Sequence, residues 1–310
     1  MIDFILAKAL IGLIVGLRCL PYGMKTRLFA LILRCFLFLV PKYKEIAFIN
    51  MRQVFPEKDA SWHQALLSRH IDSLAAIFTD FTYLPFLTPE WIRSHVSLEV
   101  SEEVAELLRK RSRPILVAAG HLGSFELMPA SGSVLFEPLA FIVRPFKNQH
   151  LDRWWNAARG KLGSQVIPRK GAVKAILKKI AEGMPVAFLF DQNVVRNNAV
   201  FVDFFGRPAA TTAALGTISL KTEAHILLAS LRTVGTQQYV LSAQLIEVDD
   251  IYQSASMEQA GKIHLITQRV TRQFEQDVLS TPEAWLWFHR RWKTRPEDSG
   301  LAHMYDPQKD

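Results

Sequence analysis

His121 is followed five residues later by Glu126, within the stretch Pro114 to Ala130, PILVAAGHLGSFELMPA. An imidazole and a carboxylate at close range make a general base. The acid holds one ring nitrogen and the other nitrogen is left to take a proton. This is the orienting half of a catalytic triad without its serine. Arg144, Arg159, Arg169 and Asp191 supply further charge in the same half of the chain. Taken singly, each of these is more often a surface or core charge than a catalytic one. A zinc site is a poor fit, because there is no His-Glu-x-x-His and Cys19 and Cys35 both lie near the start of the chain. A serine hydrolase fits no better: Gly123-Ser124-Phe125 lacks the Gly-x-Ser-x-Gly elbow.

The elements that must position these residues follow from the pattern around them. Ile115 to Ala119 is a short apolar run that ends in Gly120, so it reads as a buried strand and a tight turn. A helix is expected from about Ser124 to Ser133, which would put Glu126 in its first turn, near the positive end of the helix dipole. If the chain bends at Gly120 and Gly123, that carboxylate reaches back to the imidazole. Strands are expected at Leu139–Val143, Gln165–Pro168 and Val186–Phe190, and helices at about Leu151–Lys161 and Val173–Glu182. Such alternation predicts an α/β fold: a mostly parallel central sheet flanked by helices. Ligands in such sheets gather at the carboxyl ends of the strands. Arg144 and Asp191 each end a strand, so both belong on the same rim as His121. Arg159 sits on the intervening helix.

The flanking regions are mainly helical. Tyr43 to Glu57 reads as an amphipathic helix ending before Pro56, Trp62 to Thr82 as a second, and Ser101 to Arg111 as a third with acid first and base last. Ile226–Arg232 and Tyr239–Val248 form a hairpin-like pair across Gly235, and Met257 to Leu279 is a long amphipathic helix. His63, His70 and His95 are read as core or solvated residues.

Of the 310 residues, 49% are apolar, the formal net charge is +8 and the mean hydropathy is +0.10. The charge favours anionic partners such as phospholipid headgroups or an acidic carrier protein. Nucleic acid is disfavoured, because the basic residues are scattered and the N-terminus is apolar. Phe4 to Leu17 is apolar except for Lys8, too short for a clean span, and Leu28 to Val40 is interrupted by Arg34. Residues 1–41 are therefore expected to be one N-terminal membrane-anchoring helical segment, or else a pair of buried helices. Residues 42–298 would form the catalytic domain and 299–310 a polar tail. Asp3 ahead of the apolar core argues against a removed signal peptide. The basic residues Lys25, Arg27, Arg34, Lys42 and Lys44 would hold the rest of the chain on the cytoplasmic side.

Three separated motifs give the chain a resemblance to a known family. His121-x4-Glu126 resembles the His-x4-acid motif of glycerolipid and lysophospholipid acyltransferases. Asp191-Gln192, then Phe204-Phe205-Gly206 and Thr211-Thr212, and then PEAWLWFHRRWKTRP (Pro282 to Pro296) resemble blocks of the bacterial lipid A late acyltransferases. Asn50 and Phe55-Pro56-Glu57 fit the same pattern. Tryptophan with arginine in the last block suits a boundary between lipid and water, with a basic helix that merely closes the fold as the alternative. The resemblance implies transfer of a fatty acyl chain from an acyl carrier protein thioester to a hydroxyl of a lipid A precursor, at the bacterial inner membrane. His121 would be the base and Glu126 its partner. Arg159 and Asp191, with Arg144 and Arg169, would bind substrate. Phe204 and Phe205 would wall an acyl channel, with ordinary core packing as the alternative. That chemistry calls for no cofactor and no metal. Between His121 and Glu126 stands Leu-Gly-Ser-Phe, and a glycine after the first position is also seen in related bacterial acyltransferases acting on other acceptors. Two rivals stay open: a lipid esterase using the same base on water, and a non-catalytic basic membrane-binding protein.

Overall fold

The computed structural model describes residues 2–297 and 303–305. Helices come first: α1 (Ile2–Leu17), α2 (Tyr22–Leu39), α3 (Pro41–Val54), α4 (Ala60–Phe81) and the short α5 (Pro89–His95). Proline sits at the start of α3 and α5, where its fixed φ is already helical and its missing N–H costs nothing. Asp59 caps α4 by accepting the Trp62 N–H at 2.8 Å. Strands and helices then alternate: β1 (Val96–Val100), α6 (Glu102–Lys110), β2 (Ile115–Ala119), α7 (Met128–Leu135), β3 (Ala140–Val143), α8 (Gln149–Gly160), β4 (Gln165–Pro168), α9 (Ala172–Ala181) and β5 (Val186–Leu189). A small hairpin follows, β6 (Ala199–Phe204) and β7 (Arg207–Thr212), then α10 (Ala214–Thr222). The chain closes with β8 (His225–Gly235), β9 (Gln238–Ile246), α11 (Asp249–Gln253), α12 (Gln259–Ser280) and an irregular strap.

Seven strands form one sheet in the order β1-β9-β8-β2-β5-β3-β4. All neighbours are parallel except the β8–β9 hairpin. The mostly parallel α/β sheet is therefore as expected. Side chains alternate across each strand. Leu116, Ala118, Ile226 and Leu228 enter the core on one face, with α10 and α12, while Ile115, Ala119, Leu227 and Ala229 enter the core on the other, with α7 and α8. Helices on both faces explain why these strands are apolar throughout.

Two elements differ from the sequence expectation. The helix expected from Ser124 begins only at Met128, so Glu126 lies in the irregular segment before it. The strap after α12 is not a basic helix. It is a 3-10 turn at Pro282–Ala284 followed by turns, with Trp285, Trp287, Trp292 and Arg291 all buried. These tryptophans fill the core rather than sit at a lipid–water boundary. At the N-terminus, no helix among the described residues is long and apolar enough to cross a membrane. α1 and α2 pack on the rest of the chain. Asn148 Nδ2 donates to the Asp3 carbonyl at 2.6 Å, Arg18 lies over Phe86 at 4.5 Å, and α2 packs along α4. Most of the expected polar tail lies outside the described residues. Of it, Tyr305 donates its hydroxyl hydrogen to Asn50 Oδ1 at 2.6 Å.

Candidate active site

The site is built at the carboxyl ends of two paired strands. β2 and β5 run parallel with Ala119 opposite Leu189. His121 and Asp191 each lie two residues further on, so equal steps from a shared register bring them together. The His121 N–H donates to Asp191 Oδ2 at 2.9 Å, and His121 Nδ1 lies 2.7 Å from Asp191 Oδ1. With the ring proton on Nδ1, Nε2 is the free acceptor, and the Gln192 side-chain amide nitrogen lies 3.2 Å from it. Trp285 Nε1 donates to Asp191 Oδ2 at 3.0 Å, and Asp191 is 3% exposed. This carboxylate thus accepts from three donors.

The turn that carries His121 is held from several sides. Gly120 has no room for a side chain, because a Cβ there would collide with the Phe274 ring. Gly123 has φ +64°, the left-handed region that suits glycine, and a Cβ would strike the Leu231 carbonyl. The strap completes the clamp: Leu286 N–H donates to His121 O at 3.1 Å and Gly123 N–H to Ala284 O at 3.2 Å. It also fixes the loop after β5. Asn193 N–H donates to His289 Nε2 at 2.7 Å, and burial pushes that imidazole down to about 4, so it stays neutral and can accept.

The pairing expected between Glu126 and His121 is replaced by another. Glu126 is bound by Arg159 through two parallel contacts, Nε to Oε2 at 3.0 Å and Nη2 to Oε1. Arg159 Nη1 also donates to Asn156 Oδ1 at 3.2 Å. The physical reason is that Glu126 precedes α7 and faces α8, whereas Asp191 is in register with His121 on the neighbouring strand. A guanidinium fork matches a carboxylate in two places, so it outcompetes a single imidazole contact.

Electrostatics follow from this arrangement. Burial alone would lower the His121 pKa. The charge and hydrogen bond of Asp191, with the charge of Glu126, outweigh it and raise the value above 6.5. Burial would raise the Asp191 carboxyl, but His121 and the N–H donors hold it down at about 2. Asp191 therefore stays ionised and keeps the imidazole in one tautomer.

A groove of about 510 Å³ opens beside His121. Glu126, Arg144 and Arg159 give it polar points, while Phe81, Phe125, Phe141, Trp155 and Phe188 make most of the wall. Leu10 and Ile14 of α1 close one side. Arg144 is exposed at this groove, but Arg169 is exposed beyond β4 and does not line it. Phe204 and Phe205 do not line it either. Phe204 is 1% exposed and packs against Phe274, Trp285 and Trp292, so the channel expected there is core. Sequence reasoning left Gln192, Trp285 and the α1 wall without roles. The Asp-Gln pair after β5 was the one local signal for Gln192. No group of three or more potential metal ligands occurs among the described residues.

Residues 2–294 match the family model described as bacterial lipid A biosynthesis acyltransferase. The chain is 22% identical over 255 residues to a lipid A biosynthesis myristoyltransferase of Escherichia coli (strain K12), covering 80% of this chain and 75% of that protein. It is 24% identical over 258 residues to a lipid A biosynthesis palmitoleoyltransferase of the same organism, covering 82% and 79%. With lipid A biosynthesis acyltransferase 2 of Shigella flexneri it shares 23% over 288 residues, covering 92% and 88%.

Proposed function

The chain belongs to the bacterial lipid A biosynthesis acyltransferase family, and from that premise we propose how and on what it acts. It is an O-acyltransferase of lipid A biosynthesis. In our reading the donor is an acyl carrier protein thioester and the acceptor is a hydroxyl of a lipid A precursor. His121 Nε2 takes the proton of that hydroxyl as its oxygen attacks the thioester carbonyl. The tetrahedral intermediate collapses, the C–S bond breaks, and the leaving thiolate takes the proton back from the imidazolium. The products are an ester and a free thiol, and the imidazole is restored. Asp191 holds the tautomer and stabilises the imidazolium between the two transfers.

Glu126 then has a different task from the one first assigned. It fixes Arg159, three of whose five N–H groups are engaged, leaving two to meet a phosphate or the developing oxyanion. Arg144 at the groove mouth is a second anion contact. Arg169 can serve only outside the groove, toward a carrier or headgroup. The acyl tail lies along the aromatic wall. The basic balance of the chain, +8, suits an acidic carrier and an anionic membrane. Residues 1–41 are the membrane-facing part, seated on the cytoplasmic face of the inner membrane, and the rest of the chain is the catalytic unit.

The observation that carries the reading is the His121–Asp191 pair opening on an apolar groove. The test is acyl transfer from a labelled thioester to a lipid acceptor. His121→Ala should lose about 10²–10⁴-fold in kcat. Glu126→Ala should raise the acceptor KM more than it lowers kcat. Near wild-type transfer by His121→Ala would reject the mechanism.

A further inference from the structure

Asp80 is a fully buried carboxylate that the proton transfers above leave unused. It is the penultimate residue of α4, and three other segments converge on it. Oδ1 accepts from the Tyr239 hydroxyl of β9 at 2.5 Å and from the Tyr22 hydroxyl of α2 at 3.1 Å. Oδ2 accepts from the Ser124 hydroxyl, three residues after His121. One helical turn on from Tyr22, Lys25 is also buried, with its ammonium 3.8 Å over the Tyr83 ring and 3.4 Å from Thr82 Oγ1. Burial pushes the Asp80 carboxyl up to about 6, against the three hydroxyl donors and the charge of Lys25. A group this costly to bury persists where it fixes a geometry that apolar packing would leave loose.

What it fixes is the catalytic turn. Ser124 is fully buried, and its N–H donates to Leu231 O at 2.9 Å. The next residue, Phe125, lies edge-on to the His121 ring at 4.9 Å. Phe81, adjacent to Asp80, packs edge-on to Phe125 at 5.8 Å. The end of α4 therefore grips the turn at two consecutive residues, Ser124 by a hydrogen bond and Phe125 by its ring. The same carboxylate seats α2.

We propose that Asp80 is a positioning residue that joins the seat of α2 to the orientation of His121 through Ser124. Release of either hydroxyl lets the turn relax. Nε2 then leaves the line to the acceptor, while Arg144 and the β3 and α8 walls of the groove stay in place. The proposal rests on His121 as the base, and its signature is a loss in kcat with little change in KM.

The experiment uses the full chain and a labelled acyl thioester with a lipid acceptor. Ser124→Ala and Asp80→Asn should each lower kcat about 10-fold, with KM for both substrates within about twofold. The double variant should be no slower than the slower single, because both remove one link. Tyr22→Phe should lower kcat by about two- to threefold. Should Asp80→Asn yield little folded enzyme, Ser124→Ala alone decides, through its kcat against its KM and its melting temperature. A lowered melting temperature with unchanged kcat would overturn the proposal, and so would losses that multiply in the double variant. Wild-type kcat in these variants beside an inactive His121→Ala would defeat this inference alone. An active His121→Ala would defeat the reading of the site.

Discussion

At the scale of single residues, two carboxylates stand near one imidazole and only one touches it. Asp191 meets His121 Nδ1, while Glu126 acts on His121 through its charge and is itself held by Arg159. The consequence is a pH profile. The base works only with Nε2 bare, so kcat/KM rises as pH passes upward through the His121 value, which lies above 6.5. Asp191→Asn removes the largest contribution that raises the imidazole and leaves burial, which favours the neutral ring, against the charge of Glu126 alone. Its acidic limb should move to lower pH, while the plateau falls steeply, by about 10⁴-fold if the wrong tautomer results, as in a serine-protease triad. Rate profiles from pH 5 to 9 check this, and a limb that stays in place would contradict it. His121 was legible in the sequence because His-x4-Glu follows a buried strand and stands with two further matching blocks, whereas such a pair alone is more often a surface or core contact. Its partner was not, since local spacing points to Glu126 and only the β2–β5 register brings up Asp191.

At the scale of elements, α7 and the sheet enclose a second space. The groove ends at Met128, Pro129 and Ala187, and the same residues border a cavity of about 60 Å³ beneath α7. Its walls include Val117, Gly132, Leu227 and Ala229, so it is an apolar place that would suit the end of an acyl tail. Ala229 lines this cavity but not the groove. Ala229→Val should therefore shift the preferred donor to a shorter chain, with kcat on that shorter donor within about threefold of wild type. A series of acyl thioesters of graded length measures it, and an unchanged preference would place the tail elsewhere. Alternating strands and helices were legible because sheet strands covered on both faces are apolar throughout. The β6–β7 hairpin was not, because an aromatic pair before a glycine looks the same in a core as in a channel. Phe204 proved to be core because Trp285 and Trp292 arrive from some 80 residues further on, a contact no local pattern shows.

At the scale of the whole molecule, one side is apolar and exposed. Along α1 and α2, Leu6, Leu13, Leu31, Phe38 and Leu39 are 59%, 60%, 59%, 84% and 75% exposed. Patches of this extent mark an interaction surface. α1 has 16 residues, and at 1.5 Å per residue it spans about 24 Å, short of the roughly 30 Å hydrocarbon core. A helix of that length with exposed apolar residues is suited to lie along a membrane rather than across it. Arg18, Arg27, Lys42 and Lys44 are exposed on the same segment and would meet anionic headgroups. Leu10 and Ile14 of α1 also wall the groove, so a membrane met through α1 would lie beside the site. Apolar insertion and charge make separable contributions. Burying a Leu or Phe side chain is worth about 1.5–3 kcal/mol, so Leu31→Asp with Phe38→Asp should weaken binding to anionic vesicles more than tenfold. Salt at 1 M screens charges beyond about 3 Å but leaves apolar burial intact, so the wild type should be released only in part. The melting temperature of the variant should hold, because both side chains are exposed. Sedimentation with vesicles reads the outcome: complete release of the wild type by salt, or undiminished binding by the double variant, would mean that this face is not what the membrane sees.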